Sequence, residues 1–531
     1  MSSAGAKPGT GPEEQFADRL ACERWLGTLD HEDIDALLTG IQRQVSRITR
    51  RAMEPRDRYE VLEALRPVLI EALRRHVASY SIGSVPLGPA YEIDWERAVE
   101  LLRSTAAAYQ RCLQEASVGA EAGTEIVSVA CARCLQHISA ELVEHFRVYR
   151  KPPSSLWREL HQLFVVAEGR ACVDTIVADP HLPPYGVVNC GRAYARALLF
   201  DLANPGGLPA RHFTLLDSIV DQAVVGIEIL RERGDRDAGA LVAVDIASEA
   251  GVRLEVPHTG HPNLRYLDVG GAARRVRATL SALRGETPAD GEPFDLGAQV
   301  PPGEALGLLE RLQLQWHGGM RGRAHRREHA SNTAHVCVGI RSIHYFAGLR
   351  RLEEDLQLQP RPEAFDEPRD MPTEPLIDHT LPAFGMDEWQ VLDRSPGGFG
   401  LRRNDDGPSR VAHNGIVGLL APSDEGLLLG VVAWMSQDPD RSLRFGVSFI
   451  PGRPSAVSVR AEGGDDHFEP ALVLGGAGGM GEHPSVILPV GWFVAGAVLD
   501  VYSAEGEAWK IELTRLVQRG GDFERVEFRR R

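Results

Sequence analysis

Cysteine is scarce and aromatic residues are few: there are seven cysteines in 531 residues, and Phe, Trp and Tyr together make up 6%. The cysteines, Cys22, Cys112, Cys131, Cys134, Cys172, Cys190 and Cys337, are odd in number and scattered. That excludes a disulfide framework as the basis of the fold. No apolar run approaches the ~18 residues of a bilayer-spanning helix, so no membrane insertion is expected. The most apolar stretch, Gly415 to Met435, is broken by Pro422-Ser-Asp-Glu-Gly426. The opening segment, Met1-Ser-Ser-Ala-Gly-Ala-Lys-Pro, has no apolar core of a signal peptide, and a cytoplasmic protein is expected. Positive charge is in deficit. Lys plus Arg number 58 against 74 Asp plus Glu, a formal charge of −16, which repels a nucleic-acid polymer. Neither Gly-x-Ser-x-Gly nor His-Glu-x-x-His occurs, so the common hydrolase marks are missing.

What is present changes character along the chain. Residues 1–14 are small, polar and rich in Gly and Pro, and read as a disordered tail. From 15 to 237 the pattern is helical. Ile34, Leu37, Leu38, Ile41, Val45 and Ile48 make one stripe at spacings of three and four, with Asp30 as N-cap. Similar stripes follow, the last over Phe213 to Leu230. No fixed period repeats, so a helical bundle or array is expected rather than a solenoid.

Residues 238–302 are mixed. Ala240–Ile246 and Val252–Val256 look extended, Ala272–Leu283 looks helical, and 285–302 reads as a linker. From 303 to 453 a β-barrel domain is expected, with an irregular Pro- and acid-rich insertion at about 343–386; 454–531 reads as a further β extension. The last 150 residues hold eleven strand candidates, among them Glu388–Arg394, Phe399–Arg403, Ile416–Leu420, Leu427–Trp434 and Leu443–Ile450. Short strands at such spacing predict barrels or sandwiches. The fold class is therefore α+β and multidomain.

One local excess of positive charge stands out. Between 311 and 331 lie five arginines, Arg311, Arg321, Arg323, Arg326 and Arg327, and one acid, Glu328, a local charge of +4. Sixty-six residues after Arg327 comes Asp393-Arg-Ser-Pro-Gly-Gly398. Arginines fork onto phosphate oxygens and stack on purines. A carboxylate such as Asp393, with the Ser395 hydroxyl, suits the N1/N2 donor edge of guanine. Gly397 and Gly398 let the backbone turn tightly and approach a ligand closely. The island is short, so a small, doubly phosphorylated guanine ligand fits it better than a polymer.

These residues resemble the PilZ domain family, whose pattern is Arg-x-x-x-Arg followed by (Asp/Asn)-x-Ser-x-x-Gly. Here the matching residues are Arg323, Arg327, Asp393, Ser395 and Gly398. The strands ending at Trp434 and running through Phe445-Gly-Val-Ser-Phe449 are similar to later strands of that barrel. The resemblance covers about 316–453 and implies binding of cyclic di-GMP without a catalytic step or metal. Arg321, Arg326, Arg402 and Arg403 are further donors, since the insertion separates the two motifs by more than a compact domain does. The helical region would then contact a protein partner. The alternative is an interaction scaffold or chaperone-like protein whose barrel no longer binds nucleotide. Trp434 and Phe449 read as barrel core.

Three other patterns point elsewhere. Cys131-x-x-Cys134-x-x-His137 spreads over too wide an arc of one helix for a common metal. His137, Glu141 and His145 recur every four residues and read as a polar stripe. Gly475-Gly-Ala-Gly-Gly-Met-Gly481 lacks the Lys-Ser/Thr ending and following helix of a phosphate loop, and reads as a loop between strands.

Overall fold

A computed structural model describes residues 18–81, 83–116, 124–181, 186–253, 261–287, 290–297, 300–316, 328–329, 332–348, 385–404, 407, 409–421, 426–463, 468–475, 484–503 and 506–531. The expected tail, the arginines from 321 to 327, residues 349–384 of the insertion and most of the Gly475–Gly481 run lie outside them. The chain divides into two units.

Unit 1 holds ten of the eleven described α-helices: α1 Arg19–Leu26, α2 Ile34–Arg50, α3 Pro55–Val77, α4 Pro89–Ala116, α5 Thr124–Arg147, α6 Ser154–Gly169, α7 Cys190–Leu202, α8 His212–Ala223, α9 Gly270–Arg284 and α10 Pro302–Trp316. The predicted stripe of α2 is its buried face, with Leu37, Leu38, Ile41, Val45 and Ile48 inside. Its cap is Asp33, which accepts from the Ala36 backbone, and not Asp30, whose carboxylate takes the Glu32 N–H. Helix α5 is long and apolar enough to cross a bilayer by composition, but most of it is buried within unit 1, against α4, α6 and α7.

The expected helix from Phe213 to Leu230 stops early. It ends at Ala223, a 3₁₀ turn covers Val224–Gly226, and Glu228–Leu230 becomes an edge strand. That strand pairs with Leu264–Asp268, which pairs with Leu241–Asp245, which pairs with Val252–Arg253. Sheet pairing, which needs partners about 36 residues away, overrides the helical spacing. A second correction concerns α10, expected at the head of the β domain. It packs on α9 and α8, and unit 1 runs to Gly322.

Unit 2 contains two barrels. The first has strands β1 Thr333–Val338, β2 Asp387–Ser395, β3 Gly398–Arg403, β4 Ile416–Leu420, β5 Leu428–Gln437 and β6 Leu443–Ile450. All neighbours are antiparallel, in the order β3-β6-β5-β4-β1-β2, and β2 pairs with β3 as well as β1, so the sheet closes. The second barrel is formed by β7 Pro454–Ala461, β8 Glu469–Leu474, β9 Ser485–Leu488, β10 Val498–Ser503, β11 Ala508–Arg519 and β12 Glu524–Arg530. Residues 454–531 are thus a closed barrel with its own core of Val457, Val459, Ala471, Val486, Val501, Ile511 and Val526.

Helix α11, Ile340–Gly348, occupies the start of the expected insertion. Its Ile340 and Ile343 enter one buried cluster with Ile416, Leu429 and Ile450 of the first barrel and Leu472, Leu474 and Ile487 of the second. Each such side chain contributes about 1.5–3 kcal/mol by leaving water. The two barrels therefore share a core, which makes the segment after β1 a packed element.

Candidate functional site

Strands β2 and β3 form a hairpin whose register pairs Asp393 with Gly400 and Ser395 with Gly398. A bulge between Val391 and Asp393 shifts the alternation. On the inner side of this sheet lie Val391, Leu401, Phe445 and Met435, all buried and in mutual register across β2, β3, β6 and β5. The opposite face carries two rows. One runs Gln390, Arg402, Arg444, Ser436, and the next runs Asp393, Gly400, Gly446, Trp434.

Two glycines therefore lie between an acid and an indole. A Cβ on Gly400 would sit 2.6 Å from Asp393 Oδ1, so the carboxylate leans over Gly400. A Cβ on Gly446 would sit 2.0 Å from Trp434 Nε1, so the indole lies on Gly446. Trp434 is half-buried on this outer face and is not the core residue its sequence context suggests. The cause is the register shift between Val432 and Trp434, which moves its side chain to the other side. Phe449 is half-buried against Phe399, with ring centroids 4.9 Å apart.

The arginines separate by alternation. Arg402 faces outward, with Nη2 3.0 Å from Asp440 Oδ2, and Arg444 lies beside it across the strand pair, with Nε 2.8 Å from Asp438 Oδ2. Arg403 is buried: it pairs with Asp387, donates to the carbonyls of Gly407 and Ser409, and stacks 4.6 Å from the Trp389 ring centroid. Arg403 is thus committed to the fold. Arg444 is an outer-face donor that the motif reading missed, because the signal lies only in its register with Arg402.

Ser395 closes the hairpin, its Oγ donating to the Gly398 carbonyl at 3.2 Å. Gly398 has φ 159°, a positive-φ conformation that residues with side chains rarely adopt. Its further requirement is close approach, since a Cβ there would fall 1.8 Å from the Val447 carbonyl oxygen.

Arg321, Arg323, Arg326 and Arg327 lie outside the described residues. The residues directly after them, Glu328 and His329, form a short strand on β2, with Glu328 opposite Arg394 and His329 opposite Asp393. The chain thus returns beside the Asp393 hairpin despite the insertion.

The other sequence patterns resolve structurally. His137, Glu141 and His145 are buried, not a solvated stripe: His137 stacks on Tyr109, Glu141 pairs with Arg103, and His145 meets Trp95 edge-on. Burial pushes the His137 and His145 pKa values down to about 3 and about 4, which keeps both neutral. Cys131 does not converge with Cys134 and His137. The Cys134 thiol points to the Ala106 carbonyl, 3.6 Å away, while Cys131 turns to Cys172 and Cys190.

Comparison with known proteins matches residues 20–232 to the family model described as the N-terminal domain of the cyclic-di-GMP receptor FimW, and residues 455–531 to the FimW C-terminal beta-barrel domain. The second match coincides with the closed barrel of β7–β12. A curated relative, the cyclic-di-GMP receptor FimW of Pseudomonas aeruginosa, is 23% identical over 468 residues, spanning 78% of this chain and 74% of that protein.

Proposed function

We propose that this chain is a cyclic di-GMP receptor whose ligand lies on the outer face of a PilZ-like first barrel. The observation that carries the reading is the strand Glu328–His329 on β2. Arg327 is one peptide bond from Glu328, about 3.8 Å between Cα atoms. In this reading Arg327, next to Glu328 in the sequence, is a donor to a ligand held beside the Asp393 hairpin. The relative's receptor description and the two family-model matches support the same ligand.

The face provides what such a ligand needs. From Asp393 to Trp434 is three interstrand steps, about 14 Å at the usual strand spacing. Asp393 accepts from a guanine N1/N2 edge, Arg402 and Arg444 offer forked donors to phosphate oxygens, and the Trp434 indole offers an apolar surface for a base. Arg402 and Arg444 already sit against Asp440 and Asp438, so ligand phosphates compete with those acids for them. Ser395 and Gly398 hold the hairpin that presents Asp393. This is binding chemistry: the assembled groups recognise and orient, and no nucleophile is poised among them.

The helical unit is the output part and contacts a protein partner, and the protein acts in the cytoplasm. What supports a separate role for the helical unit is that it has a family model of its own. By linkage, a partner that favours the liganded state raises ligand affinity by the same factor that ligand raises its own.

Calorimetric titration of the full chain tests the reading. Cyclic di-GMP should give a saturable isotherm at low micromolar concentration or tighter. Cyclic di-AMP should not, because adenine's Watson–Crick edge places an acceptor at N1, where Asp393 needs a donor. No isotherm with cyclic di-GMP on folded protein would favour the scaffold alternative.

A further inference from the structure

Three of the seven cysteines meet in unit 1, from three separate segments. Cys131 lies in the middle of α5, Cys172 in the turn after α6, and Cys190 is the first residue of α7. Their sulfur atoms all lie within 4.8 Å of one another, and the residues are 0%, 2% and 1% exposed. Three ligands at about 2.3 Å from a central zinc would be about 4 Å apart, so a small χ1 adjustment closes the triangle. We propose that Cys131, Cys172 and Cys190 form a three-thiolate site for a thiophilic metal ion such as zinc or copper(I).

The surroundings fit that chemistry. Soft thiolates select such ions over calcium or magnesium, and the two buried carboxylates of α5 are occupied elsewhere, Glu141 with Arg103 and Glu144 with Arg147. The segments that carry the sulfurs are braced. Cys172 N–H donates to the Ala167 carbonyl at 3.0 Å, and Gly191 N–H donates to the Val173 carbonyl at 3.0 Å, tying the Cys172 turn to the start of α7. Asn189 caps α7 through the Arg192 N–H at 2.8 Å. The positive end of that helix faces Cys190 and offsets thiolate charge. Such a burial depth means that the ion is taken up during folding or local opening.

The pattern is invisible along the chain. The Cys-x-x-Cys spacing draws attention to Cys134, which faces α4, whereas the true neighbours of Cys131 are brought in by the packing of α5 against α6 and α7.

The test is cadmium loading of the full chain after stripping with a chelator. One cadmium per chain should bind, with a thiolate-to-cadmium charge-transfer band in the ultraviolet. Cys172→Ser and Cys190→Ser should each lose the band, while Cys134→Ser and Cys22→Ser keep it. X-ray absorption at the cadmium edge of the unmutated protein should count three sulfur neighbours, which guards against a serine variant that fails to fold. Substoichiometric loading, one or no sulfur neighbours, or a band that survives in both Cys172→Ser and Cys190→Ser would overturn the proposal.

Discussion

Gly398→Val is expected to disrupt the first barrel and abolish ligand binding with it. A Cβ at 398 would lie 1.8 Å from the Val447 oxygen and 2.9 Å from its carbonyl carbon. Both atoms are backbone, held by the register Gly398↔Ser448 and Phe399↔Val447, so no side chain can swing away. β3 must separate from β6, which breaks the closure of the barrel. Overpacking costs about 1–3 kcal/mol where a core can adjust, and more where it cannot; here at least about 3 kcal/mol is expected. The melting transition of unit 2 should fall or broaden, and the calorimetric isotherm should vanish. Gly475→Ala is the control, since a Cβ there meets nothing within 4 Å. A Gly398→Val protein that melts and binds like the parent would refute the close-approach account.

Asp179→Ala should destabilise unit 1 by a comparable amount. Asp179 is fully buried and bidentate with Arg66, both contacts at 2.6 Å, and it also accepts from Arg133 at 2.8 Å and Gln136 at 2.9 Å. Removing it takes from the buried Arg66 guanidinium the carboxylate that holds it, while Arg133 keeps Glu63. Breaking such a pair costs about 3–5 kcal/mol, a fall of roughly 10 °C in the melting transition. The pH dependence has a defined sign. Burial alone would raise the Asp179 pKa, but hydrogen bonds from Arg66 and Gln136 and the charges of Arg66 and Arg133 reverse it, so the folded value lies below the ordinary one. Its stabilisation is full above the unfolded pKa of about 3.9 and fades as pH falls through the folded value. Melts from pH 7 downward should show a shallower acid decline in Asp179→Ala than in the parent. Equal acid limbs would show that this carboxylate does not govern it.

Much of the β architecture is legible in the sequence because alternation and turn residues mark it. Ile416–Leu420 and Leu443–Ile450 coincide with β4 and β6. Alternation does not say which face is inside, and a bulge reverses it. Arg402 and Arg403 are neighbours with opposite fates for the first reason, and Trp434 is misread for the second. The helix expected to Leu230 fails because its end is decided by a sheet partner distant in sequence. The hairpin residues of the candidate site are visible as a motif, whereas Arg444 and the three-cysteine cluster exist only through tertiary register.

The most direct measurement is calorimetric titration of cyclic di-GMP into Asp393→Ala beside the unmutated chain. The carboxylate leans over Gly400 on the half-buried outer face, and a melt of the same sample checks that the barrel still folds without it. Losing its charge-assisted hydrogen bonds to guanine should cost about 1.5–3 kcal/mol, or roughly ten- to a hundredfold in affinity. An Asp393→Ala protein that folds normally and binds cyclic di-GMP as tightly as the parent would contradict the assignment of the ligand to this face.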